Sequence, residues 1–354
     1  MTRSIDFTQP MSQTFEYWLV DPTTWKDSSL IPNVLSASLE FDLESDTLGR
    51  ATIETESPMG ECYFRAYLVA TQGSLTQRFP LGTYLVQTPT ISFDGRARSC
   101  SMEAYTPLLE LADDKPAIGY AIPKDSNVLE VAAKLAGLHC RAPVLATESD
   151  KTITEDFVAD PDDSWLDLLT DFLAKANHRF LVTPRGEVTF APIRDANAMT
   201  ATHTFDDSNS SILYPEVEEE RDVYGVPNVY EVVYTNGSVT KRVEVTNSDP
   251  LSVLSYQQRG RYVRTRDTAP DVSDSPTTTE LEVYAKRKLR EESNLERTVS
   301  YSHGYCGNVI GDAVRLAYTR AGLDTRGIVT TQTITCEPGC KVEETAKYSQ
   351  AFYD

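Results

Sequence analysis

The sequence predicts a mainly β protein with α+β parts, and three observations carry that prediction. Residues 309–348 (VIGDAVRLAYTRAGLDTRGIVTTQTITCEPGCKVEETAKY) break into three partly alternating runs, 313–318, 327–336 and 341–348, rich in Val, Ile, Thr and Tyr. Gly/Asp or Pro-Gly punctuation separates them, so they read as strands joined by tight turns. Residues 228–235 and 238–246 alternate on either side of Asn236-Gly237, the pair favoured where both turn residues need positive φ, and predict a hairpin. Residues 1–110 hold about six short β-like runs at the spacing of a sandwich or barrel. The hairpin and the terminal runs, bridged by a region with a helix, suggest one closed or nearly closed antiparallel barrel with an insertion between its strands.

In chain order, the front runs cover 13–20, 33–43, 50–55, 62–71, 79–90 and 96–105, with breaks at Asp21-Pro22, Ile31-Pro32, 58–60, Gln72-Gly73 and Asp94-Gly95. From Thr106 helical spacing takes over, first over 107–112 and then over 127–138, where Val128, Val131, Leu135 and Leu138 share a face behind Ser126 as expected N-cap. A further helix over 164–177 stripes Trp165, Leu168, Leu169, Phe172 and Leu173 behind Asp160, Asp162 and Asp163, which suit a helix N-terminus. Residues 179–183, the Pro184-Arg185-Gly186 turn and 187–192 then read as a hairpin packed on those helices. Trp165 is expected to fill that core.

The expected boundaries are thus 1–110 for a front β domain, 111–195 for a small α+β module, 196–221 for an acidic connector and 222–354 for a rear β domain interrupted by an insertion at 249–296. The connector reading rests on the polar run Asp206, Asp207, Ser208, Asn209, Ser210, Ser211 and on Glu216, Glu218, Glu219 and Glu220. The insertion is expected as a polar arm bearing Arg259, Arg261, Arg264 and Arg266, then a helix over 279–293 with Leu281, Ala285, Lys288 and Leu289 on one face.

Composition narrows the function classes. The 354 residues carry a formal net charge of −20, which opposes a phosphate-gripping surface but suits a wall along which DNA slides without sticking. No run approaches the roughly 18–20 apolar residues of a membrane span, and residues 1–10 do not look like a secretory signal. Six cysteines, Cys62, Cys100, Cys140, Cys306, Cys336 and Cys340, are too sparse for a disulfide scaffold and are expected mostly reduced.

Chemistry-bearing motifs are weak. The sequence contains no phosphate loop, HExxH, GxSxG or EF-hand loop. Cys336, Cys340, Cys306 and His303 could be drawn as a metal set, but the spacing is not that of a zinc ribbon and Pro338-Gly339 serves a tight turn in its own right. A local disulfide between Cys336 and Cys340, or two free thiols, are the alternatives. His139-Cys140 and His178 sit at predicted helix ends, with no third group evident to orient either imidazole. Acid pairs such as Asp162/Asp163 and Glu155/Asp156 are expected by chance among 53 acidic residues.

The segment DDSWLDLLTDFLAKANHRFLVTPRGEVTFAPI, with its Trp-Leu helix, Pro-Arg-Gly turn and Phe190-Ala191-Pro192 end, resembles the helical module of tail hub proteins of tailed bacteriophages. The C-terminal block is similar to the same family through its histidine/tyrosine strand, Gly311, Asp312 and Val314, its Cys-x-Pro-Gly turn at Cys336, and Glu344, Thr345 and Ala346. So is the strand Asn228-Val229-Tyr230-Glu231-Val232. The resemblance implies two tail-tube-like antiparallel β-barrels separated by the α+β module, the second with the helix-containing insertion. It implies a homotrimeric hub whose six barrels meet a sixfold tail tube, lining a channel for DNA and tape-measure protein. Expected partners are further copies of the chain, the tail tube or distal tail protein ring, tape-measure protein and tip or fibre proteins, with DNA passing through without specific binding. The expected location is the tail tip or baseplate of the virion, after assembly in the host cytoplasm, and no cofactor is expected. Some such hubs carry a cell-wall hydrolase, for which neither spare length nor site residues are evident, so a purely structural hub is expected. Arg259, Arg261, Arg264 and Arg266 are then assigned to contact with an acidic neighbouring subunit or partner. The competing readings are a tail-associated cell-wall hydrolase and a host-glycan-binding tail-tip module.

Overall fold

In the front segment, alternation of side chains decides which residues become strand and which face is buried. The strands are β1 (Ser12–Val20), β2 (Asp27–Leu30), β3 (Val34–Asp42), β4 (Gly49–Thr55), β5 (Tyr63–Gln72), β6 (Leu75–Phe93) and β7 (Arg98–Tyr105). On β3 the buried residues are Ala37, Leu39 and Phe41, and on β4 they are Gly49, Ala51, Ile53 and Thr55, the period-two signature of a strand with one face on a core. The computed structural model describes residues 4–351 apart from 94, 97, 146, 209, 222, 238, 251, 273 and 274. Asp94, Asn209 and Ser238 of the sequence reading therefore lie outside the described residues.

After β7 come α1 (Leu109–Asp113), β8 (Ala121–Ile122), α2 (Val128–His139), β9 (Val144–Leu145), β10 (Phe157–Val158), α3 (Trp165–Ala174), β11 (His178–Val182) and β12 (Val188–Pro192). The cap of α2 is Asn127, one residue beyond the expected Ser126. The Asn127 side chain accepts from Glu130 N, while the Ser126 hydroxyl donates to Pro123 O at 2.6 Å. Helix α3 begins with a capping box, in which the Ser164 hydroxyl and the Asp167 carboxylate each serve the other's backbone N–H. Trp165, Leu168, Leu169, Phe172 and Leu173 then bury with Leu129, Leu135, Phe180 and Phe190 in one core, with Trp165 inside it as expected.

The remaining elements are β13 (His203–Asp206), β14 (Leu213–Arg221), β15 (Val229–Asn236), β16 (Val239–Thr246), α4 (Tyr256–Arg259), β17 (Arg264–Asp267), α5 (Thr278–Glu292), β18 (Asn294–Gly304), β19 (Ala313–Tyr318), β20 (Leu323–Thr335) and β21 (Lys341–Ala351). Two departures from expectation follow. Residues 196–221, expected as an acidic connector, carry the strands β13 and β14. Phe205 is fully buried, and Glu216, Glu218 and Glu220 alternate on an exposed side, so composition suggested a linker where periodicity makes a strand. The hairpin β15–β16, expected beside the terminal strands, pairs instead with β17 in a three-stranded sheet. Its buried residues Tyr230, Val232, Val243 and Val245 pack on Leu281, Tyr284, Ala285 and Leu289 of α5, so the apolar face of the hairpin is covered by a helix close in sequence.

The chain divides into two units, residues 1–217 with 300–346 and residues 218–299 with 347–354. In the first unit, β20 pairs antiparallel with β3, from Thr331↔Asp42 to Thr335↔Ser38, and joins the rear strands to the front ones. The sheet continues from β3 through β4, β7, β6, β5 and β1 to β2, while β13 pairs parallel with β19 beside β20.

The Pro184-Arg185-Gly186 turn seats the α+β module on this sheet. Arg65, 3% exposed on β5, donates to Thr83 Oγ1, Asp27 Oδ1 and the Arg185 carbonyl, each at 2.8 Å. Trp25 Nε1 donates to the same carbonyl at 2.8 Å, and Thr83 Oγ1 donates to the Pro184 carbonyl at 3.2 Å. Gly186 has φ +75°, and a Cβ there would lie 2.7 Å from Thr83 Cβ and 3.0 Å from Trp25 Cζ2.

Arg65→Met is expected to lower unfolding stability by about 3 kcal/mol, because Asp27 loses its ion-pair partner in a poorly solvated site. Gly186→Ala is expected to cost about 1–3 kcal/mol through positive φ and the clash with Thr83. Urea denaturation at neutral pH measures both, and wild-type midpoints for either variant would contradict this docking.

Candidate functional site

The arginines expected to contact a neighbouring subunit lie in the second unit, and three of the four have partners within their own chain. The Arg259 guanidinium, at the end of α4, donates to the carbonyls of Val226 (2.6 Å) and Val223 (3.1 Å) and ties down the loop before β15. On the sheet, Arg266 meets Glu231 at 2.7 Å and Arg264 meets Glu244 at 3.1 Å, with Arg242 bonded to Glu231 from the other side. Cross-strand register explains this, since β15 pairs β17 at Glu231↔Arg266 and β16 at Glu231↔Glu244. The Arg266 guanidinium, aided by Arg242, holds Glu231 below the usual carboxylate range. Arg261 is exposed, and beside it Tyr256 and Tyr262 stack at 4.2 Å.

The sequence-predicted catalytic candidates do not converge. His139 does have an orienting group, since Nδ1 lies 2.8 Å from Asp114 Oδ2 and the ring stacks on Trp165 at 4.1 Å. Its sequence neighbour Cys140 is buried instead, with Sγ turned to the Pro107 carbonyl at 3.4 Å, and burial pushes the thiol up to about 12. A thiol so hard to ionise is no nucleophile at neutral pH. His178 Nδ1 lies 2.7 Å from the Ala176 carbonyl, which suits a ring N–H donor. Asp163 accepts from Asp160 N and closes a turn, while Asp156 accepts from Lys124 N, 32 residues away, and ties two loops together. Cys336 and Cys340 are buried free thiols, both pushed up by burial, Cys336 to about 12. Among the described residues no three His, Cys, Asp or Glu side chains come together as a metal site. No helix among them is long and apolar enough to cross a membrane.

The strongest electrostatic feature is one the sequence did not assemble. In the first unit, His303 on β18 and Glu344 on β21 are fully buried, with Nε2 and Oε2 3.2 Å apart. The contact is a close ion pair in which Nε2 has no partner of good hydrogen-bond geometry among the described residues. Tyr301 OH donates to Glu344 Oε2 at 2.6 Å, while Asn308 Nδ2 and Gln332 Nε2 donate to Oε1 at 2.6 and 2.7 Å. The other imidazole nitrogen of His303 faces the Gly304 carbonyl at 2.7 Å, and Phe205 lies against its ring. Burial works against the imidazolium, but the Cys306 and Glu344 side chains outweigh it and raise His303 to about 10. Burial likewise opposes the Glu344 charge, and His303 and the neutral donors outweigh it and hold the carboxyl low. His203 is pushed the other way, by burial and then by the His303 charge. Glu344 is held by three neutral donors while His303 Nε2 has no hydrogen-bond partner among the described residues, and the cluster ties β18, β20 and β21 together. Of its members, His303 stood out in the sequence only as a candidate metal ligand and Glu344 only as part of a family pattern.

No family model matches the sequence, and comparison with curated proteins finds no match. Solved structures do match in fold. The tail protein from Neisseria meningitidis MC58 has a TM-score of 0.63 at 12% identity, covering 95% of this chain and 96% of that one. The 43 kDa tail protein of prophage MuSo2 from Shewanella oneidensis has a TM-score of 0.64 at 11% identity, covering 95% and 98%. The lidded Francisella PdpA–VgrG complex has a TM-score of 0.59 at 8% identity, where 98% of this chain covers 54% of the longer one. At such identities the likeness is one of fold.

The buried pair makes stability pH-dependent with a definite sign. With its folded value raised from 6.5, His303 contributes fully below about pH 6.5, and the contribution is lost as pH climbs to about 10. Glu344, lowered from 4.5, contributes above that value and loses its share as acid protonates the folded state. His303→Gln is therefore expected to cost about 3 kcal/mol near pH 6 and under about 1 kcal/mol at pH 10, by denaturant titration at each pH. A pH-independent difference would contradict the charged pair.

Proposed function

We propose that this chain, which has the fold of bacteriophage tail proteins, is a structural component of a phage tail or a related baseplate. In this reading it is a homotrimeric hub that adapts a sixfold tail tube to a threefold tip. The carrying observation is full-length, reciprocal coverage at 11–12% identity: nearly all of this chain is like nearly all of two tail proteins, while few residues are shared.

The front and rear β segments supply the two tube-like walls of each copy, so that three copies present six similar surfaces to the tube. The net charge of −20 suits a passage through which DNA and tape-measure protein slide without adhering. Partners in this reading are a tail tube or distal tail protein ring above and tip or fibre proteins below. Arg261, exposed beside the stacked tyrosines, is the member of the arginine arm best placed to reach an acidic neighbour. Arg264 and Arg266 hold their own sheet together.

Light scattering and electron microscopy of the purified protein are expected to give a mass near three times 39.4 kDa and threefold class averages with a central opening. A monodisperse single copy at micromolar concentration would refute the hub. Arg261→Glu is expected to reduce the trimer fraction while leaving unfolding stability within about 0.5 kcal/mol of wild type.

A further inference from the structure

Strand β6 is paired along both edges over only part of its length. Residues 75–85 pair with β5, and residues 85–93 pair with β7 on the other side. From Gln87 to Phe93 the edge away from β7 therefore meets no strand among the described residues. Strand β7 in turn pairs with β4 only as far as Cys100. The ends of β6 and β7 form a hairpin arm that runs beyond the sheet. Its side chains are exposed on both faces: Thr88, Pro89, Thr90, Ile91, Ser92 and Phe93 are all exposed, with Ile91 at 52% and Phe93 at 69%.

The arm lacks most of the usual protection of an open strand. The stretch QTPTISF carries no charge, and Ile91 and Phe93 lie two apart, so they share a face. Pro89 removes one donor, and beyond it every second amide points away from β7. Such an edge in water is a template for another strand. The sequence around the tip, 94–98, holds Asp94 against Arg96 and Arg98, a local excess of positive charge in a chain of net −20. The sheet has another open edge of opposite character. Strand β14 stands at the end of the strand order and presents Glu216, Glu218 and Glu220, all exposed. Pro215 within it fits an edge position.

We propose that the β6–β7 arm docks on a second copy of this chain by strand addition, its edge at 88–93 lying along β14 of the neighbour. Ile91 and Phe93 are covered in that contact, and Arg98 faces the glutamates. One open edge meets a different open edge, so the contact is heterologous and closes a ring of three when successive copies are related by a threefold rotation. The proposal rests on the trimeric-hub reading and names the surface that builds it.

The test compares wild type with Ile91→Glu/Phe93→Glu by light scattering, with thermal unfolding as a folding control. The double variant is expected to run as a single copy at concentrations where wild type is trimeric, with the Tm of the dissociated wild-type chain, because both side chains are exposed. Arg98→Glu is expected to weaken assembly roughly tenfold, and Arg98→Glu with Glu216→Arg to restore it. Hydrogen exchange on the wild-type trimer is expected to show residues 88 and 90–93 slowed relative to the dissociated chain. A trimeric wild type whose arm exchanges freely, or whose double variant stays trimeric, overturns the arm and leaves the hub standing. Failure of Glu216→Arg to rescue overturns β14 as the acceptor. A wild type that never assembles overturns the hub reading itself.

Discussion

The contact on which the larger unit depends is the buried Arg65 guanidinium. A charged group with so little exposure is tolerable only if its donors are met, and here three different parts of the chain meet them. Asp27 comes from β2, Thr83 from β6 and the Arg185 carbonyl from the turn of the α+β module. Tyr67 OH adds a bond to the other Asp27 oxygen at 2.8 Å. Each partner is far from the others in sequence, so the guanidinium satisfies itself only when sheet and module are docked. Gly186 makes the approach possible, since any larger residue would strike Thr83.

A second buried charge does the corresponding work among the rear strands. His303 and Glu344 face each other from β18 and β21, and Gln332 on β20 joins them by bonding both Glu344 and the Asn308 carbonyl. Strand β20 then carries the pairing across to β3, more than two hundred and eighty residues away in the chain by the numbering. Buried polar groups of this kind specify one register, because a slip of one residue would leave a charge without its partner. The two charge networks thus fix strand register at both ends of the first unit's sheet.

Surface chemistry divides along the same lines. Of the arginines that composition marks as a contact patch, Arg264 and Arg266 are taken by cross-strand glutamates and Arg259 by loop carbonyls, which leaves Arg261 outward. The arm of β6 and β7, which composition does not mark at all, is the surface whose backbone and apolar side chains are uncovered. Charge is easily satisfied at home by a neighbour in register, whereas an open strand edge has no such internal remedy.

Local signals in the sequence settled much of the secondary structure. Asn236-Gly237 fixed a hairpin, Asp160, Asp162 and Asp163 marked the start of α3, and the Trp165 to Leu173 stripe fixed which face of that helix is buried, because turn chemistry, helix-end charge and helical periodicity act within a few residues. The β character of both ends of the chain followed from alternation alone. What only the tertiary structure decided was pairing. An apolar strand face accepts any apolar cover, so the sequence could not say that β15 and β16 would take α5, nor that β20 would lie against β3. For the same reason a run of glutamates looked like a linker until its outward alternation along β14 was seen, and His303 looked like a loose ligand until Glu344 stood opposite it. Long-range partners are chosen by the simultaneous satisfaction of many buried groups, and that condition exists only in the folded molecule.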